Sequence, residues 1–189
     1  MGIEAELKAR VRDPDRVRGL LRQRATQQNS VYYDVYFDTP DRTLNRGRRE
    51  LRVREVHTDD TAAQALLTYK DAPVHAASES KPETETTAGN ADALRAVLAA
   101  LGFEVLISFE KHCANYRFTA VGRPLLASLV SVPELEETFL EIETIVDTDA
   151  EVDPALETIR QVFNALGIDR NDETIEAYTQ AVAARRSTP

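Results

Sequence analysis

The chain has 189 residues, 42% of them hydrophobic, and a formal net charge of −9. That length suits one domain, 1–189, with a sizeable core. The acidic balance argues against a generic nucleic-acid binder, and the lack of any 18-residue apolar run argues against a membrane-spanning helix.

In chain order, the first strand is expected over 2–12 and is followed by Asp13-Pro14, an N-cap and a first-turn proline that open a helix with Val17, Leu20 and Leu21 inward. VYYDVYFDT (31–39), ELRVREV (50–56) and AQALLTYK (63–70) read as strands from their β-branched and aromatic content. A polar loop spans 71–80, and SKPETETT (80–87) is extended. Asn90 caps a second helix with Leu94, Val97, Leu98 and Leu101 on one side, and Gly102 ends it. Strands follow near 103–111, 114–120, 124–130 and 139–146. Asp153-Pro154 opens a third helix, stopped at Gly167. A last helix is expected over 172–184, with Ile175, Tyr178 and Val182 inward. Dominant strands with about four helices indicate α+β, and many antiparallel strands of this length often close into a barrel.

The charges are unevenly placed. Lysine occurs only at Lys8, Lys70, Lys81 and Lys111, leaving 19 of the 23 basic residues as arginine. This acid-rich, lysine-poor composition suggests a salt-adapted protein. The absence of a basic region followed by an apolar stretch points to no signal peptide, and the lone Cys113 to no intrachain disulfide. A reducing cytoplasm is the expected location, with no membrane partner, and a homodimer stays open.

Side chains alternate across a strand. Glu4, Glu6 and Lys8 therefore share a face opposite Ile3, Ala5 and Leu7. Arg52 and Arg54 repeat the pattern, as do Lys81, Glu83 and Glu85, then Glu141 and Glu143, while Lys70 and Lys111 each sit on one face of their strands. One such strand is usually a solvated sheet surface. Six of them, carrying all four lysines, raise an alternative: a barrel with its apolar face outward under helices and its charged face inward. Charges in a lumen are costly unless they pair or hold a ligand. Carboxylates that bind Mg²⁺ or Mn²⁺, beside cations that clamp phosphate oxygens, suit a polyanion arriving with a divalent metal.

The IEAELK segment resembles the E-x-E-x-K signature of the CYTH, or triphosphate tunnel metalloenzyme, superfamily. YFDTP (36–40), LRVRE (51–55), TYKD (68–71), KPETE (81–85) and FLEIE (139–143) follow in the family's order, so the resemblance covers nearly the whole chain. It is closest to the class IV adenylate cyclase-like branch, which includes thiamine triphosphatase relatives. The resemblance implies an eight-stranded antiparallel β-tunnel with helices packed outside. Carried over by motif, Lys8, Arg52, Arg54, Lys70, Lys81 and Lys111 would hold the triphosphate. Glu4, Glu6, Glu141 and Glu143 would hold the metal, Glu83 and Glu85 would support them, and Glu4, Glu6 and Lys8 would form the catalytic strand.

Two positions depart from the family's pattern. Cys113 stands where a K-x-R pair would place Arg, and Val130 where an Asp metal ligand would precede the last E-x-E. Cys113 is either a thiol activated by a basic lumen or an inert replacement. His57, His75 and His112 lack metal-ligand spacing and read as surface residues. No Gly-rich phosphate loop is present. The expected function is Mg²⁺- or Mn²⁺-dependent phosphoryl transfer on a small-molecule triphosphate such as ATP, thiamine triphosphate or tripolyphosphate, by hydrolysis or by cyclisation. The alternative is a catalytically weakened triphosphate- or nucleotide-binding module.

Overall fold

A computed structural model describes residues 2–59, 62–75, 78 and 80–188. Eight strands close into an antiparallel barrel: β1 (Gly2–Val11), β2 (Gln28–Asp38), β3 (Glu50–Thr58), β4 (Gln64–Lys70), β5 (Lys81–Ala88), β6 (Glu104–Ala120), β7 (Arg123–Ser131) and β8 (Thr138–Val146). Around the wall the order is β1-β5-β4-β3-β2-β6-β7-β8, with β8 pairing back onto β1. The helices are α1 (Pro14–Arg22), a four-residue α2 (Thr43–Arg46), α3 (Ala91–Ala100), α4 (Val152–Ala165) and α5 (Tyr178–Ser187). None is long and apolar enough to cross a membrane.

The apolar face of the barrel points outward. Ile3, Ala5, Leu7 and Ala9 of β1 pack with Leu140 and Ile142 of β8 against Leu156, Ile159, Val162 and Phe163 of α4 and Val17 and Leu21 of α1. A second layer sets Phe37, Leu51, Val53 and Ala65 under Ala91 and Leu98 of α3. Each such side chain removed from water contributes roughly 1.5–3 kcal/mol, so two helix-covered faces outweigh the cost of turning the polar face in, provided that face pairs its charges. The outer stripe of α3 is narrower than its spacing suggests, because Val97 and Leu101 extend past the sheet and stay exposed.

Three boundaries differ from the sequence reading. The segments expected as separate strands at 103–111 and 114–120 form one 17-residue strand, β6. Neither Gly nor Pro interrupts it, and its alternation runs through His112 unbroken. Its first half and centre pair with β2 and its second half with β7. The last helix starts at Tyr178 rather than 172. Asp169 caps a short 3₁₀ turn over 170–172, and the next residues run extended across the barrel mouth as a strap. Thr174 N donates to Lys8 O at 2.8 Å, and Ala9 bridges to Glu173. Ile175, expected inward, is exposed on that strap. The turn expected at Pro40-Asp41 continues into α2 because Asp38, fully buried, accepts from the backbone N–H groups of Thr39, Leu44 and Asn45. Part of the loop expected over 71–80, residues 76, 77 and 79, lies outside the described residues.

Candidate functional site

Register carries the charged faces to one place. Glu4 lies opposite Lys81, Lys8 opposite Glu141, Glu6 opposite Glu143, and Lys70 opposite Glu83. All twelve charged residues singled out from the sequence line one lumenal cavity of about 240 Å³. The solvated-surface alternative fails on burial: Glu4, Lys8, Arg52, Lys81 and Lys111 are each 9% exposed or less. A larger concavity, about 780 Å³, is an open bowl on the outer wall beside α1.

Lys8, Arg52, Arg54, Lys70, Lys81 and Lys111 are each held by a partner. Lys70 pairs with Glu4 and, at 3.1 Å, with Glu83. Lys81 pairs with Glu50, and Lys111 lies 3.3 Å from Glu141. Arg54 forks onto Asp34 at 2.6 and 2.7 Å, and Thr68 donates to Glu85 at 2.8 Å. Lys8 Nζ donates to the Glu176 carbonyl of the strap. These pairs offset much of the cost of so charged a lumen; among the described residues the Glu6–Glu143 facing pair is left without an ion-pair partner and the buried Nε of Arg52 without a hydrogen bond.

The carboxylates divide into two electrostatic groups. Burial pushes Glu4 upward, but Lys70 and then Arg52 hold it below its ordinary value. Glu141 behaves alike, with Lys111 and Lys8 overcoming burial. Burial and then Glu141 and Glu4 raise Glu6 to about 7. Burial, Glu4 and Glu6 hold Glu143 well above the carboxylate range. The carboxylate oxygens of Glu4, Glu6 and Glu143 lie within 4.8 Å of one another. Three hard oxygen donors, two of them driven toward protonation by crowding, fit a divalent cation that would replace the protons. Glu141 stands apart from this trio, engaged with Lys111.

One patch of the β6–β7 wall is apolar. Cys113 and Val130, the two departures from the family pattern, are direct cross-strand partners, and Val130 also faces Phe139. They belong to one buried cluster with Tyr36, Phe109 and Tyr178. Burial pushes the Cys113 thiol up to about 11 against the pull of Lys111, a direction that favours the inert reading over the activated thiol. Tyr178 enters from the start of α5, with Lys8 Nζ at 4.5 Å and Lys111 Nζ at 4.3 Å from its ring centre. Its buried hydroxyl lies beside Glu141, and burial together with that carboxylate holds its pKa well above the ordinary phenol value.

Sequence reasoning missed four contributors: Asp34, Glu50, Arg117 and Tyr178. Asp34 had a signal, an acid in phase with Tyr32 and Tyr36 inside an otherwise apolar and aromatic strand. Burial opposes its ionisation, yet Arg54 and Arg52 hold it well below its usual range. Of the histidines, His57 and His112 lie on the outer face beside Glu55 and Glu110, and His75 is 3.1 Å from Asp153.

Comparison with known proteins agrees with this geometry. A curated Methanocaldococcus jannaschii protein, provisionally named an adenylate cyclase, is 24% identical over 180 residues, covering 94% of this chain and 97% of that protein. The solved PH1819 protein of Pyrococcus horikoshii superposes with a TM-score of 0.83 at 23% identity, over 97% of this chain and 99% of that one. A Hippeastrum protein, described as a provisional adenylyl cyclase with a dominant triphosphatase activity, superposes with a TM-score of 0.65 at 15% identity, over 97% and 96% of the two chains. The CYTH domain family model matches residues 2–178. With that match spanning nearly all of its length, the chain belongs to the CYTH domain family.

Proposed function

We propose that the protein is a metal-dependent phosphoryl-transfer enzyme that binds a small-molecule triphosphate inside the barrel, with the whole chain acting as one domain. The observation that carries this reading is the convergence of four lysines and two arginines with a carboxylate trio in one closed lumen. Lys8, Arg52, Arg54, Lys70, Lys81 and Lys111 would each exchange a carboxylate or carbonyl partner for a phosphate oxygen. The lumen is thereby preorganised for triply bridged polyanions: the cations are already fixed in place, and little reorganisation accompanies binding. Glu4, Glu6 and Glu143 would hold Mg²⁺ or Mn²⁺, with Glu141 beside them. A divalent ion there supplies charge neutralisation and orientation of the reacting oxygens. Asp34, Glu83 and Glu85 keep the basic side chains aimed inward.

Hydrolysis is favoured over cyclisation as the outcome. The Hippeastrum relative carries a triphosphatase description, and the clamp serves water as readily as a ribose hydroxyl. The acidic composition makes high KCl the natural assay medium. Incubation with Mg²⁺ or Mn²⁺ and ATP, thiamine triphosphate or tripolyphosphate should release phosphate, abolished by chelation. Cyclic AMP with pyrophosphate would instead mark a cyclase. Saturable binding without turnover would support a binding module, the second reading, which the apolar Cys113–Val130 pair motivates. No binding of any triphosphate sinks both.

A further inference from the structure

We propose that Arg117, at the end of the tunnel away from the strap, is a further phosphate-binding residue: its guanidinium takes oxygens of the phosphate held at the Glu4–Glu6–Glu143 trio. This deepens the tunnel reading and rests on it.

Seven basic residues line the tunnel, and the six discussed above are engaged with protein partners. Arg117 is the seventh. Among the described residues its side chain makes no hydrogen bond, ion pair or ring contact, and it is exposed. Its direction is set by β6. Tyr116 and Phe118 turn outward into the core shared with α1 and α4, so Arg117 between them turns into the barrel. Phe109, against the Tyr178 ring, marks the strap end of the same strand. Arg117 stands at its other end, beside the hairpin into β7, where the mouth is open.

Register brings Arg117 level with the carboxylate trio. Arg117 pairs with Leu126, Leu126 with Glu143, and Glu143 with Glu6. Neighbouring strands lie about 4.8 Å apart, so the backbones at Arg117 and Glu143 are separated by about 10 Å, a span that an extended arginine and a metal-bound phosphate fill between them. Cys113, where the resemblance would place Arg, sits on a different row, with Val130 and then Phe139. The free guanidinium of this wall is thus two inward positions further along β6, on the row of two trio carboxylates. No acid on the adjoining strand stretches competes for it. The inward residues beside it are Asn115, Leu126 and Ser128, and Asn115 is occupied with Ser30, Tyr32 and Ser128. The six engaged cations must each give up a partner to meet a phosphate. Arg117 gains a charge-assisted, forked contact without breaking one.

The test is titration calorimetry with Mg²⁺ and the non-hydrolysable diimido analogue of tripolyphosphate. Arg117→Ala should weaken the analogue about tenfold, the scale of one charge-assisted contact, with the melting temperature unchanged. Arg117→Lys keeps the charge but loses the fork; it should weaken binding about threefold, and it carries the test alone if the alanine variant fails to fold. Arg123→Ala is the control. It removes the same charge from the same hairpin, but from the outer face that carries buried Leu125, and should change affinity less than about twofold. Mg²⁺ titrated alone should bind Arg117→Ala no more weakly than the wild type, because a cation beside the trio repels the ion. Unchanged affinity in both Arg117 variants, an equal loss in Arg123→Ala, or weakened Mg²⁺ binding in Arg117→Ala overturns the proposal and leaves the tunnel reading intact. Failure of the wild type to bind the analogue overturns the tunnel reading itself, and this proposal with it.

Discussion

The two walls of the tunnel use the same period-two alternation for opposite ends. On the β1–β8 side every inward position from Glu4 to Lys8 and from Glu141 to Glu143 is charged. On the β6–β7 side the inward pair Cys113–Val130 is apolar and joins Phe139, Phe109 and Tyr178. A strand's alternation dictates which residues point inward, but the chemistry of the wall depends on what stands across the register. On the charged wall Lys8 faces Glu141 while Glu6 faces Glu143, a like-charged pair that needs a proton or a cation; on the apolar wall two non-polar residues face each other. The two positions that depart from the resemblance therefore meet at a single cross-strand position.

The comparison can be broken most severely by placing one charge on the apolar wall. Val130→Asp puts an unpaired carboxylate at a fully buried site and should cost about 3 kcal/mol or more in chemical denaturation. Adding Cys113→Arg should recover a substantial part, and a double-mutant cycle should show coupling above the roughly 0.5 kcal/mol expected of independent sites. Additive losses would mean the pair is not a unit. Removing a charge from the paired lumen is the mirror test. Asp34→Asn strands the Arg54 guanidinium and should destabilise by about 3–5 kcal/mol. Because the folded Asp34 pKa is depressed, its contribution is present above the ordinary carboxylate value and fades as pH falls below it. The wild type should lose stability on acidification more steeply than the variant.

Glu6→Gln should lower metal-dependent phosphate release by about 10²–10³-fold, on the scale of removing one preorganised electrostatic group. The fold should survive, because Glu6 is already driven toward its neutral form. Its raised pKa also sets a pH signature. Metal-free protein should lose stability as pH rises from the ordinary 4.5 of Glu6 to about 7, since ionisation is opposed by its neighbours. Mg²⁺ should raise the melting temperature more at pH 8 than at pH 5, and Glu6→Gln should shrink that difference. The smallest effect belongs to Cys113→Ser, which should change turnover less than twofold; a larger loss would restore the activated-thiol reading.

Much of this was legible in the sequence, for a physical reason. Alternation in β1, β3 and β8 is local, and the confinement of lysine to inward faces needs no structure to see. Pairing across the sheet is less local. The Val121–Gly122 turn, with both residues at positive φ, pairs Ala120 with Arg123 and so sets Cys113 against Val130, a register hidden from the sequence because Val-Gly is not a usual hairpin turn and the segment reads as two strands broken between 111 and 114. Asp34 meeting Arg54 and Tyr178 reaching Lys111 were not readable, because each contact joins segments whose relative placement comes only from barrel closure and the path of the strap. Helical periodicity misplaced the start of α5 for the same reason: Glu173 to Ala177 owe their extended form to hydrogen bonds with β1 rather than to their own propensities.

The way β1 is tied in has a consequence for the chain while it is being made. Of the barrel strands β1 is made before the others, and among the described residues three of its positions pair with β5, while its main partner, β8, begins at Thr138 and its strap lies beyond Asp172. At about 5–20 residues per second, β1 waits on the order of ten seconds for β8 to emerge. During that interval an alternating strand of Ile3, Ala5, Leu7 and Ala9 would be a template for pairing with other nascent chains. Glu4, Glu6, Lys8 and Arg10 interrupt it at every second position, as gatekeepers do. The residues that line the finished tunnel thus also guard the unfinished one.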